Sequence, residues 1–115
     1  MSKEERSKEL FIEDIYDSIN AIEEYVKYID FEEFKNDRKT YQAVIREFEI
    51  IGEATKNILS FLNDVYPQYN WREVIDFRNK ITHEYFGVNF NIIWNSIFYE
   101  LPKLKKIIIK IKETL

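Results

Sequence analysis

From Ile12 onward, Ile12, Ile15, Ile19, Ile22, Val26 and Ile29 recur at alternating steps of three and four. On a helix of 3.6 residues per turn that spacing is one continuous stripe. Glu and Lys fill most of the remaining positions, so the seam is narrow enough to pack lengthwise against another helix, and the helix is expected to fray before about Lys8. Asp30 to Asn36 breaks the pattern. A second helix follows from Asp37 or Thr40, with Tyr41, Val44, Ile45, Phe48, Ile51, Thr55, Ile58, Leu59 and Leu62 on one side. Gly52 sits inside it, where glycine costs about 1 kcal/mol relative to Ala, so its presence predicts a close helix crossing. Asn63 to Asn70, with Pro67, reads as a connection. Asn70 can cap a third, shorter helix carrying Trp71, Val74, Ile75 and Phe77, with Gly87 as its stop. Phe90, Ile93, Trp94, Ile97, Leu101, Leu104, Ile107, Ile108 and Ile111 then repeat at helical spacing to the end. Pro102 removes the hydrogen bond to the carbonyl of Phe98, which predicts a kink or a break there. The pattern as a whole predicts an all-α, up-and-down bundle of four to five helices.

Composition narrows this further. At 115 residues, with no internal repeat and no Gly/Ser linker, the chain is expected to be a single domain over residues 1–115. Two glycines and two prolines are too few for the turns of an all-β domain of this size. The absence of cysteine rules out a disulfide scaffold, thiolate metal sites and a cysteine nucleophile, and fits a reducing compartment. Met1 to Leu10 is charged, without a stretch resembling a signal peptide, and the longest aliphatic run is Ile107 to Ile109. The expectation is a cytoplasmic protein without a membrane partner. The net charge of −4 argues against indiscriminate nucleic-acid binding, but it is unevenly spread. Residues 1–66 carry 9 Lys+Arg against 16 Asp+Glu, and residues 67–115 carry 8 against 5. The carboxyl-terminal half is the better home for an anionic ligand.

Most catalytic chemistries find no footing. No Gly-rich loop follows a strand, no His-Glu-x-x-His is present for zinc, and the pairs Glu4-Glu5, Glu23-Glu24 and Glu32-Glu33 lie on polar faces or in a connection. His83 is the only histidine. Around it runs Arg78-Asn79-Lys80-Ile81-Thr82-His83-Glu84-Tyr85, which gathers two cations, an imidazole and a phenol. Arginine grips a phosphate through parallel hydrogen bonds, and an imidazole can move a proton near neutral pH, so the group suits phosphate-ester chemistry. A lone histidine near a helix end is more often a cap or a satisfied polar residue, and spacing alone favours that reading. Arg78 and His83, five apart, diverge by about 140° on an unbroken helix, whereas Arg78 and Tyr85 share a face. For Arg78 and His83 to meet one phosphate, the chain must turn near His83, or the residues must converge from two subunits. Cleaving RNA through the ribose 2′-OH needs one group to remove a proton and another to supply one. A two-fold dimer would bring two histidines and two arginines to one cleft.

The sequence resembles the HEPN superfamily (higher eukaryotes and prokaryotes nucleotide-binding), and within it the HepT-like toxins. The resemblance covers almost the whole chain: Ile50-Ile51-Gly52-Glu53-Ala54, Tyr66-Pro67 and Trp71, Arg78-Asn79 followed by His83, Tyr85-Phe86-Gly87-Val88, Trp94, and Leu101-Pro102-x-Leu104. Arg78, Asn79, His83 and Tyr85 fit the R-x4-H-x-Y signature. The resemblance implies an all-α homodimer whose two motifs line a shared cleft and cut RNA without a metal or other cofactor. Arg78 would neutralise the phosphate, His83 would transfer protons, Asn79 would orient the groups, and Lys80 and Arg72 are candidate RNA contacts. It further implies a partner, a minimal nucleotidyltransferase (MNT-type) antitoxin that attaches AMP to Tyr85. An adenylyl group beside Arg78 would put an anion where RNA phosphate should lie. The alternative is a non-catalytic HEPN subunit that binds a nucleotide or a partner enzyme. Glu84 departs from the small residue common between the His and the Tyr of the family. Glu53 is assigned a buried structural or interface role, since nothing in the sequence shows it reaching the cleft. Trp71, Trp94 and Phe86 are assigned to the core, and the basic tail of Lys103, Lys105, Lys106, Lys110 and Lys112 to a solvated face.

Overall fold

The computed structural model describes residues 7–83, 87 and 89–115. Among these every regular element is helical. The first stripe forms α1 (Lys8–Val26), whose start is set by Ser7, its side chain accepting the Leu10 N–H at 3.4 Å. Ile12, Ile15, Ile19 and Ile22 of that stripe are fully buried. Each contributes on the order of 1.5–3 kcal/mol relative to exposure, which makes the stripe the spine of the core. It packs chiefly along α3 (Arg38–Asn57), the second long helix, and on its other side meets α7 (Leu101–Thr114). Asp37 starts α3 by accepting the Thr40 N–H at 3.2 Å and the Thr40 hydroxyl at 2.6 Å. Those hydrogen bonds to Thr40 hold the Asp37 carboxyl below its ordinary range.

Three features depart from the expected pattern. Asp30 to Asn36 is not a plain break, because Phe31–Asn36 form a short helix, α2. A reciprocal capping box starts it, the Glu33 N–H donating to Asp30 at 2.9 Å and the Asp30 N–H to Glu33 at 3.1 Å. Six residues show no periodicity, yet α2 seats Phe34 edge-on to Tyr41 and Phe90 and within 5.1 Å of the Trp94 ring. The second long helix is also interrupted at Ile58. There the backbone leaves the helical region, the Ile58 N–H shared between the Ala54 and Thr55 carbonyls at 3.3 Å, and α4 (Leu59–Val65) sets off with Leu62 buried.

The third departure concerns Pro102. α6 (Phe90–Asn95) runs into a π turn (Ser96–Glu100) and on into α7, so of the expected kink or break the run shows no break but an irregular, widened turn. The Leu101 N–H reaches back five residues to the Ser96 carbonyl. Widening the turn just before the proline places Pro102 in the first turn of α7, where a missing N–H costs little. The rod is therefore re-registered and not broken. Lys105 and Lys112 of α7 pair with Glu23 and Glu13 of α1 at 2.7 and 2.9 Å, so part of the basic tail is engaged with acidic α1.

The remaining long element is α5 (Trp71–His83). Trp71 is buried at its start, its indole N–H donating to the Tyr66 carbonyl at 2.9 Å. Its apolar face packs along α3, with Phe77 edge-on to Phe48. Trp94, assigned to the core, is partly buried between Phe31, Phe34 and Phe98. Four rods, α1, α3, α5 and the α6–π–α7 run, thus make up the bundle, with α2 and α4 as short additions. No described helix is long and apolar enough to cross a membrane.

Candidate functional site at the crossing of α3 and α5

Gly52 lies buried on α3, and what presses on it is Arg78 of α5. A Cβ added at Gly52 would overlap the Arg78 Cβ and stand 2.6 Å from its Cγ. The backbone of Gly52 is ordinary helix, without a positive φ, so the position needs the absent side chain and not glycine's conformational freedom. The close crossing that the sequence predicts is present, and it is made for one arginine.

Two groups aim the head of that arginine. One Nη of Arg78 donates to the Asn79 Oδ1 at 2.8 Å, and the other lies 3.3 Å from a Glu53 carboxylate oxygen. The side chains are 27% and 38% exposed for Arg78 and Glu53, so the pair is neither dry nor freely hydrated. The carboxylate offsets the cost of partly burying a guanidinium and fixes its plane. Glu53, expected to be buried in a structural or interface role, is partly exposed and reaches the motif arginine from the next helix. Its position directly after Gly52 was the available clue, since a glycine that admits Arg78 puts its neighbour beside the same side chain.

Arg78 has five N–H donors and does not exhaust them on these partners. Its Nε is buried without a hydrogen-bond partner among the described residues, and so is the Thr82 hydroxyl one turn further along the same face. Buried polar groups are nearly always paired, so each of these atoms needs a partner that the described residues do not supply. Chemically, the arrangement offers a restrained cation with spare donors, the requirement for gripping a phosphate.

The other sequence-derived candidates fall in different places. Asn79 is half-buried and serves Arg78 directly. Lys80 is exposed two residues on, about 200° around the helix from Arg78. Arg72 is exposed near the start of α5, about 9 Å along the axis from Arg78. Neither joins the Arg78 cluster. The backbone stays helical through His83, five residues after Arg78. The His83 side chain, Glu84, Tyr85, Phe86 and Val88 lie outside the described residues, and the modification assigned to Tyr85 lies there with them. Gly87 is exposed with open space around it. Among the described residues no group of three or more His, Asp or Glu side chains is placed to hold a metal ion.

Comparison with known proteins places the chain in a family. The chain is 44% identical over 100 residues to a protein of Thermococcus cleftensis named "Probable ribonuclease HepT", covering 87% of this chain and 91% of that one. It is 39% identical over 106 residues to "Putative RNase MJ1380" of Methanocaldococcus jannaschii, covering 92% and 95%. It is 40% identical over 105 residues to "Putative RNase TTE0752" of Caldanaerobacter subterraneus subsp. tengcongensis, covering 91% of each. No solved structure matches the chain significantly. The pattern described as Ribonuclease HepT-like matches residues 15–111, which takes in α3, α5, their Gly52–Arg78 crossing and most of the other two rods, and the chain belongs to the HepT-like ribonuclease family.

Proposed function

We propose that the protein is a metal-independent endoribonuclease toxin that works as a homodimer, with Arg78, Asn79 and His83 at its active site. The observation that carries this reading is the Arg78 guanidinium, held at the α3–α5 crossing by Glu53 and Asn79 with donors to spare. Arg78 binds the scissile phosphate and neutralises the charge that builds on its oxygens as the ribose 2′-OH attacks. His83 moves the proton, taking it from the 2′-OH or giving it to the departing 5′ oxygen. One chain carries one histidine. The five-residue spacing of Arg78 and His83 along α5 supports their convergence from two chains across a two-fold axis, which supplies a base and an acid together.

In this reading a nucleotidyltransferase antitoxin silences the toxin by attaching AMP to Tyr85. The added phosphate competes for Arg78, and the adenosine blocks the approach of RNA.

The test is cleavage of RNA in EDTA by freshly produced, unmodified protein, beside His83→Ala and Arg78→Ala. The wild type is expected to cut and each variant to lose at least about a hundredfold, the order that a positioned proton-transfer group contributes. Undiminished cleavage by both variants overturns the site. Absence of cleavage by every form replaces the enzyme with the non-catalytic binding subunit. For Tyr85, co-expression with the nucleotidyltransferase and mass measurement should show adenylyl adducts that Tyr85→Phe abolishes.

A further inference from the structure

α5 leans on α3 and α7 leans on α1, and a space is left between α5 and the run from the π turn into α7. It is a cavity of about 170 Å³. Its floor is apolar: Phe48 and Ile51 from α3, Val74 and Phe77 from α5, Leu101 and Leu104 from α7. Apolar cavities of about 150 Å³ stay dry and accept a benzene ring, so this one has room for a single ring or a branched aliphatic group.

The rim differs from the floor. Glu73 of α5 and Glu100 of the π turn line it, with Tyr69 and Ser96, and no lining residue is basic. Glu73 has no ion-pair partner among the described residues, and Glu100 has only an exposed Lys103 at 3.6 Å. Both carboxylates act on Tyr69, whose phenol is pushed up to about 12, first by burial and then by Glu100 and Glu73. Negative potential therefore converges on the mouth of an apolar hole. The π turn helps to set this arrangement, since it carries both Ser96 and Glu100 on the wall facing α5.

An anion is disfavoured at such a mouth and a purely apolar ligand ignores it, whereas a ligand with both parts uses the whole site. We propose that this cleft binds a small amphipathic cation, an aromatic or branched aliphatic body of about one ring bearing an ammonium or guanidinium group. The body fills the floor between Phe48, Phe77 and Leu104, and the cation sits between Glu73 and Glu100. The site is separate from the Arg78 cluster in residues and opposite in charge preference.

The test titrates the full chain with phenethylammonium, benzyl alcohol and phenylacetate, following the methyl resonances of Ile51, Val74, Leu101 and Leu104. Binding is read without RNA, so it is independent of the ribonuclease reading. Phenethylammonium is expected to move these methyls at probe concentrations up to roughly 10 mM and phenylacetate to leave them unmoved. A Glu73→Gln, Glu100→Gln double variant, changed only at the rim, is expected to weaken phenethylammonium by about fivefold and leave benzyl alcohol unchanged. Equal binding of all three probes, shifts confined to other residues, or no shift at the highest concentration would each overturn the proposal.

Discussion

Gly52 and Arg78 form one unit: the arginine's aliphatic stem lies where the glycine's side chain would be. Crossing of α3 and α5 at this point sets how far the guanidinium extends before it meets Glu53 and Asn79.

Gly52→Ala should therefore reverse the usual sign. Ala is normally better than Gly inside a helix by about 1 kcal/mol, but here its methyl group collides with Arg78. Overpacking of this kind typically costs about 1–3 kcal/mol. Thermal unfolding should show net destabilisation, and RNA cleavage should fall as Arg78 is displaced. A more stable protein with unchanged cleavage would refute the coupling.

Arg78→Lys should keep the charge and lose the function. Lysine presents a compact ammonium without the planar fork, so it can satisfy Glu53 but not Glu53, Asn79 and a phosphate at once. Cleavage is expected to drop by about tenfold to a hundredfold with little change in unfolding temperature, measured side by side with Arg78→Ala.

Glu53→Ala separates positioning from stability. The pair is partly exposed, so its loss should cost no more than about 1 kcal/mol in denaturant unfolding. The freed guanidinium should lower kcat by about tenfold, the expected penalty for a small misplacement at the reacting centre. Glu53→Gln, which keeps an acceptor, should recover part of that loss. Wild-type kcat in Glu53→Ala would show that Asn79 alone suffices.

Tyr69 predicts an alkaline limb in stability. Its phenol is raised from 10.0 to about 12 in the folded state, so the unfolded chain releases this proton first as pH rises. The stability that the neutral phenol contributes is fully present below pH 10 and is lost as pH rises toward 12. Tyr69→Phe should flatten the unfolding midpoint across that window. The Glu73→Gln, Glu100→Gln protein should flatten it only in part, because burial is the larger cause.

Trp71→Phe tests the entry to α5. The ring change preserves most of the packing but strands the Tyr66 carbonyl that now accepts the indole N–H at 2.9 Å. Urea unfolding should show a loss of about 1–3 kcal/mol, from the stranded, part-buried carbonyl together with the smaller ring in a fully buried site.

Where the sequence repeats at helical spacing over many residues, it already specified the structure. The Ile12 to Val26 stripe had only one face to bury, and burial of that face decides α1 whatever its partner. The same holds for α3, α5 and the terminal rod. Local chemistry alone was too sparse elsewhere: six residues of α2 carry no period, and the bend at Ile58 and the π turn before Pro102 depend on which side chains must reach the core.

The candidate site residues divide in the same way. In the sequence, Arg78, Asn79 and His83 stood out as candidates through their fit to the R-x4-H-x-Y signature, since spacing by itself favoured a satisfied polar histidine. It also predicted that Gly52 marks a close crossing. Only the tertiary structure decided that the neighbour at that crossing is Arg78, that Glu53 reaches it, and that Glu73 and Glu100 line one apolar cleft. Periodicity records which face of each helix is buried, whereas contacts between helices depend on axial register and crossing angle, which arise only when the faces pack together.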